Sequence, residues 1–241
     1  MNQNTDFVIA DAVFSTFPEM SVSALRVQID RQTALKAVND NLEAEMPELI
    51  ERLHDAEPLT QMSEIACWRD AYGKLGVKPS KFPSSIEALL RRAKKNGLGE
   101  IGIPAVDLYN RISVKHRAPL GAYDAAKLRP TEGLQLRHAF PDADVFSPLG
   151  GKPESFPLNP DLIVYAQASE VLCWGFNTRD STITAVDENT SEIIFFSEAT
   201  KPDGAMRGQA ALSEIADLFS TSGGKVSDIV SFSANRANGR V

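Results

Sequence analysis

Three histidines, two cysteines and two polar clusters are the residues of this chain whose types could do chemistry. His54, His116 and His138 fall in neither HxxxH nor HExxH spacing. They therefore do not predict a zinc hydrolase, and no metal site is expected. His54 reads as a surface residue near a helix end, where a cation suits the dipole. His138 lies in a predicted strand and reads as packing or surface. His116 follows a short predicted helix in a polar loop; a surface role is the simpler reading and catalysis the sharper one. There is no GxSxG elbow. Neither Cys67 nor Cys173 sits at a helix start that would lower its pKa, so no covalent nucleophile stands out.

Two glycine motifs fail on context. Gly97-Leu98-Gly99-Glu100-Ile101-Gly102 matches GxGxxG in letters. It follows a predicted helix and runs into Pro104, whereas a dinucleotide fingerprint must follow a strand and open a helix. Gly150-Gly151-Lys152 lacks the leading glycine and the Ser/Thr of a P-loop. No cofactor is expected.

The polar clusters are more informative. The first is Asp107, Asn110, Ser113, Pro119, Gly121, Tyr123 and Asp124. Asp107, Asn110 and Ser113 are three residues apart and share a helix face. The second is Asn177, Arg179, Thr184 and Thr190, after a strand in which Leu172, Trp174 and Phe176 alternate. Each cluster reads equally well as turn chemistry or as pocket donors. Trp68, on an apolar helix face, reads as core.

The elements that must position these residues can be sketched. Val13–Phe17 and Val22–Ile29 read as strands. Leu35, Val38, Leu42, Met46, Leu49 and Leu53 keep helical spacing, with Pro47 predicting a kink or restart. A helix after Pro58 carries Met62, Ile65, Trp68, Tyr72 and Leu75, and Gly76 stops it. Ser84 and Glu87 have capping-box spacing at the head of a helix that Gly97 ends. A short helix follows Pro104. Strands are predicted at 134–139, 162–166, 171–176, 183–186 and 193–196, then a helix over 206–219. The polar tail 220–241 is expected to be partly loose. Helices in one block and strands in another predict an α+β fold, read as one domain over 1–241.

Composition sets limits on these readings. The chain has 241 residues, 43% hydrophobic and 24% charged, as in ordinary globular proteins. Two distant cysteines suit a reducing compartment. The stretch Met1–Ala10 lacks the basic and apolar regions of a secretory signal, and no apolar run approaches a membrane span. A cytoplasmic protein with no membrane partner is expected. The net charge is −7 and argues against wrapping long nucleic acid such as DNA. Yet Arg69–Arg117 holds 11 basic residues against four acids, leaving −14 for the remainder. Arg91, Arg92, Lys94 and Lys95 cluster in one helix, as a phosphate-binding face or a solvated, dipole-matched one.

Taken in order, the motifs resemble a known family. Trp68-Arg69, Tyr72, Gly76-Val77-Lys78-Pro79, Ser84 and Glu87–Arg92 are similar to stand-alone relatives of the B3/B4 editing domain of the phenylalanyl-tRNA synthetase beta subunit. Val106–Asn110 with Ser113, Pro119–Asp124, Leu136-Arg137, Phe146–Gly150, Val164–Ala166 and the Thr184/Thr190 pair continue the likeness over roughly residues 7–219. Three positions depart from the family pattern. Gly121 stands where bacterial synthetases carry histidine, Phe176-Asn177-Thr178-Arg179 where Trp-Asn-x-Arg is common, and Ala143-Asp144 where a Gly-Glu pair is common.

The resemblance implies a three-layered α+β domain with a β-sandwich of unusual topology flanked by helices. It also implies an activity, trans-acting deacylation of mischarged aminoacyl-tRNA. An aminoacyl ester is already activated, so positioned water and a stabilised oxyanion suffice. On that reading Asn177, Arg179 and His116 carry catalysis. Asn110, Ser113, Tyr123, Phe146, Gly150 and Thr184 line the substrate pocket. Arg91, Arg92, Lys94 and Lys95 take tRNA phosphates. Two other functions fit the same residues: a binding module for tRNA or an amino-acid-like ligand without turnover, and a hydrolase of small amino-acid esters or amides.

Overall fold

The apolar runs read as strands build two facing sheets in the computed structural model, which describes residues 5–30, 32–55 and 58–241. Residues 1–4 of the N-terminal stretch lie outside these. The first sheet contains β1 (Asp6–Ile9), β4 (Leu134–His138), β5 (Val145–Phe146), β6 (Ile163–Gln167), β7 (Glu170–Trp174), β8 (Arg179–Asp180) and β12 (Asn238–Arg240). Its order is β12-β1-β4-β6-β7-β5, with β8 also on β7. The pairs β1/β4 and β5/β7 are parallel and the rest antiparallel. The second sheet is wholly antiparallel. It contains β2 (Ser21–Gln28), β3 (Gly121–Asp124), β9 (Glu192–Ala199), β10 (Lys225–Val226) and β11 (Val230–Phe232), in the order β10-β2-β9-β3 with β11 also on β2.

Six helices complete the fold: α1 (Asp11–Thr16), α2 (Lys36–Asp55), α3 (Ser63–Lys74), α4 (Ser85–Asn96), α5 (Pro104–His116) and α6 (Pro202–Thr221). Between the sheets lies an aromatic core. Phe7 meets Phe232 edge-on at 4.7 Å and Phe196 at 5.5 Å, while Tyr123 and Tyr165 pack on Phe196. The back of the second sheet presents Leu25, Val27, Ile193 and Phe195 to Leu108 and Ile112 of α5 and Leu212, Ile215 and Phe219 of α6. Sheet, sheet and helix layers follow, the α+β arrangement expected. At one end of the sandwich, Trp68 and Tyr72 of α3 close on Phe176 and Phe17.

Several expectations are corrected. Residues 13–17 belong to a helix, α1, which places Val13 and Phe17 inward four residues apart. Residues 183–186 form no ladder; Thr184 and Val186 alternate inward, but the backbone finds no strand partner. The tail 220–241 is not loose: β10 and β11 pair with β2, and β12 pairs with β1. β1 itself was not foreseen. The helix expected after Pro104 is longer than expected, and His116 is its last residue rather than a loop residue. Pro47 lies inside α2, which continues through it. Both cysteines are free.

Candidate functional site

Side chains alternate across a strand, so Ile194, Phe196 and Glu198 of β9 face the first sheet while Ile193 and Phe195 face the helices. Two apolar residues and then a carboxylate therefore point the same way. Glu198 is only 2% exposed. Burial of a charge is costly, and it pushes the Glu198 carboxyl up to about 7. Two donors act against that rise. Tyr165 Oη donates to Glu198 Oε1 at 2.6 Å, and Asn177 Nδ2 donates to Oε2 at 3.2 Å.

A second shell of bonds fixes Asn177. Its Oδ1 accepts from Tyr72 Oη at 3.0 Å and from the Ser85 amide at 3.3 Å. Thr178 Oγ1 lies 2.9 Å from the same Tyr72 oxygen. The turn that delivers Asn177 leaves β7 through Gly175 and Phe176, both with positive φ. Phenylalanine rarely adopts φ of 60°, and here the packing of its ring against Phe17, Trp68 and Tyr72 holds it there.

Glu198 lines a neck between two open hollows. The neck is about 10 Å³ and is walled by Trp68, Arg117, Pro119, Glu198, Thr200 and Gly204, among others. That is room for about one water molecule. The Thr200 hydroxyl on its wall is buried without a hydrogen-bond partner. On one side lies a lobe of about 200 Å³ reaching Phe17, Glu19, Asp70 and Lys74, which shares Cys67, Thr200 and Lys201 with the neck. On the other lies a lobe of about 300 Å³ holding Arg52, Lys115 and His116, which shares Glu64, Arg117 and Arg207 with the neck. Burial raises the Cys67 thiol above its usual range, so this cysteine is not an activated nucleophile. Burial also favours a neutral Glu64, but a backbone hydrogen bond and the Arg117 guanidinium outweigh it and leave the carboxyl below its usual value.

The predicted site residues divide. Asn177 touches Glu198, and His116 lines the larger lobe with Nε2 2.6 Å from Glu214 Oε2. Arg179 stands apart: it is exposed, donates to the Leu149 carbonyl at 3.2 Å and lies over the Phe156 ring. Gly150 is in an exposed loop beside it, and Phe146 is buried against Phe156. Tyr123 is sealed in the sandwich core. Ser113 is buried and fastens the end of α5 by donating to the Ala118 carbonyl at 2.6 Å. Asn110 is half-buried on α5, roughly 9 Å along the helix from His116. Asp107 accepts from the amides of Ile101 and Gly102, so it pins the glycine loop.

The two clusters do meet, but at a structural joint. Thr190 Oγ1 donates to Asp124 Oδ2 at 2.7 Å, and the Asp124 amide donates to the Thr184 carbonyl. Asp124 pairs with Ile193, five residues and so about 17 Å along β9 from Glu198. The Thr184 hydroxyl is buried there without a partner. A single pocket built from both clusters is therefore corrected to a cleft on α3, α5, β9 and α6 that takes Asn177 and His116 from the predicted set. Glu198 was missed. Its signal was an acid at the next inward position after Ile194 and Phe196.

The basic helix is also partly committed. Arg91 pairs with the buried Glu87, and Lys94 donates to the Leu53 carbonyl at 2.9 Å. Arg92 buries Nε and Nη2 without a hydrogen-bond partner, and Lys95 is exposed. Among the described residues, no group of three or more His, Cys, Asp or Glu could hold a metal ion, and no helix is long and apolar enough to cross a membrane.

Fold and site together define an α+β sandwich protein with a buried carboxylate at the waist of a polar cleft. Residues 67–220 match the family model described as the B3/4 domain, and the chain belongs to that family. Among solved structures it is similar to an N-terminal fragment of the phenylalanyl-tRNA synthetase beta-subunit from Pyrococcus horikoshii. The identity is 12% and the TM-score 0.45, over 91% of this chain and 49% of that one. The chain thus spans about half the length of that fragment. No curated protein matches it.

Proposed function

We propose that the chain hydrolyses the ester of mischarged aminoacyl-tRNA, with water held in the neck beside Glu198. The observation that carries this is a fully buried carboxyl, poised near pH 7, on the wall of a water-sized space between two open lobes. A base of that strength suits proton transfer at neutral pH. Membership of the B3/4 family supports a tRNA-associated role.

The step balances without a covalent intermediate. Glu198 takes a proton as the water oxygen bonds to the ester carbonyl carbon. The developing oxyanion is met by the Arg117 guanidinium and the unpartnered Thr200 hydroxyl, both on the neck wall. Collapse breaks the bond to the terminal ribose oxygen, which recovers the proton from Glu198. Asn177 and Tyr165 are positioning residues acting through Glu198. Lys95 and the exposed part of Arg91 contribute to holding more distant tRNA phosphates.

A panel of mischarged tRNAs incubated with the full chain tests this. At least one should be deacylated, and Glu198→Gln should slow release by about 10² to 10⁴-fold. Deacylation of none would overturn the proposal; tRNA binding without release would leave a binding module. Hydrolysis of small amino-acid esters alone would identify an RNA-independent hydrolase.

A further inference from the structure

The larger lobe has an electrostatic character that the hydrolytic step does not use. Its wall carries Arg52, Lys115, His116, Arg117 and Arg207, and the carboxylate lining it is Glu64. This is a concentration of positive charge in a chain of net charge −7. We infer that this lobe seats a phosphate of RNA, the one bearing the terminal nucleoside whose ester lies at the neck; this rests on the deacylation reading.

The existing partners of these cations do not fill the lobe. Arg52 pairs with Glu48, Arg207 with Asp203, and Lys115 with Glu45, and those carboxylates are 73%, 54% and 48% exposed. Pairs of that kind are worth only about 0–1 kcal/mol and yield readily to a better anion. Glu214, which also meets Lys115 and His116, and Glu64, which meets Arg117, are the more buried partners. Arg207 keeps Nε buried without a hydrogen-bond partner. Several guanidiniums around one hollow suit the tetrahedral oxygens of a phosphate, which accept paired N–H donors.

Position argues for the same ligand. Arg117 and Arg207 line both the lobe and the neck, so an anion held by them adjoins the reacting ester. The opposite lobe carries Glu19 and Asp70, which suit the ammonium of an aminoacyl group. Strand polarity through the cleft is thereby fixed, phosphate toward α2 and α5, acyl group toward α1 and α3.

The test is equilibrium binding by the full chain of an uncharged RNA hairpin ending in 3′-ACCA, at several salt concentrations. It is paired with NMR of the His116 ring and the arginine Nε–Hε groups during titration with adenosine 5′-monophosphate. The double variant Arg52→Gln/Arg207→Gln should weaken hairpin binding at least tenfold and reduce the salt slope by about 1.4, at about 0.7 per lost phosphate contact. Lys225→Gln, on β10, should bind like the parent. The mononucleotide should shift the His116 and Arg207 signals, and inorganic phosphate the same signals more weakly. An unchanged salt slope in the double variant, or mononucleotide shifts confined to other residues, would overturn the inference. Glu198→Gln should bind the hairpin normally. If the double variant loses binding while no tRNA is ever deacylated, the phosphate lobe stands and the hydrolase reading falls. If Glu198→Gln abolishes deacylation and the double variant binds normally, the reverse holds.

Discussion

At the scale of the residue, Glu198 links activity to stability through one carboxyl. Burial raises its pKa to about 7. As a base it must be ionised, so deacylation should rise about tenfold per pH unit below 7 and level off above. The same shift works against the fold. A carboxyl that binds its proton more tightly folded than unfolded stabilises nothing above its folded pKa; stability falls as pH rises from about 4.5 to about 7. The loss is on the order of 3 kcal/mol, at 1.36 kcal/mol per pKa unit. Glu198→Gln should therefore be inactive yet show a flatter stability curve, gaining on the parent between pH 5 and pH 8 in urea titrations. Equal pH dependence in both proteins would mean the carboxyl is not ionised in the folded state. The site was only half legible in the sequence at this scale. Asn177 was recognisable as a polar residue at a strand end. Glu198 looked like the end of an apolar strand, because its partners Tyr165, Asn177 and Tyr72 lie 33, 21 and 126 positions away along the chain.

At the scale of the element, α4 shows how a correct pattern can carry a different contact. Ser84 caps the helix as its spacing predicts, accepting from the Glu87 amide at 3.3 Å. Glu87 does not return the bond. Its fully buried carboxylate pairs with Arg69 of α3 at 2.8 Å and with Arg91, and so ties α3 to α4. Glu87→Gln separates the two roles. A capping box accepts glutamine in that position, whereas an ion-pair hub does not. The substitution should cost about 2–3 kcal/mol in chemical denaturation, against about 1 kcal/mol for Ser84→Ala. Elsewhere, long helices with 3.6-residue periodicity, α2 and α6, were legible because their apolar stripes exceed three turns. Short elements were not. Val13 and Phe17 of α1 keep the i, i+4 spacing of a helix, but six residues rich in aromatic and β-branched types read as a strand. Residues 183–186 alternate inward and outward as a strand would. Alternation reports burial, and the missing hydrogen-bonded neighbour is decided by topology.

At the scale of the molecule, charge and chain ends are both arranged across the layers. The excess of basic residues in 69–117 is largely spent internally. Arg69, Arg91, Arg111, Lys115 and Arg117 meet acids from α2, α3, α4, α6 and the loop at Glu100. The polar tail is likewise structural. Phe232 is fully buried 4.7 Å from Phe7, between the sheets. β12 covers the edge of β1, and Arg26 Nε donates to the Val241 carbonyl at 3.2 Å. Polar composition hid this, since edge strands need few apolar side chains once the opposite face is solvated. Phe232→Ala should lose about 3–5 kcal/mol while leaving the edges covered. Deleting residues 225–241 should do more. It removes Phe232 and also bares the unpaired backbone of β1 and part of β2, a template for association. The truncated chain should therefore melt lower than Phe232→Ala and scatter light on warming, whereas a truncation as stable and as soluble as the parent would show that the two sheets do not depend on the tail.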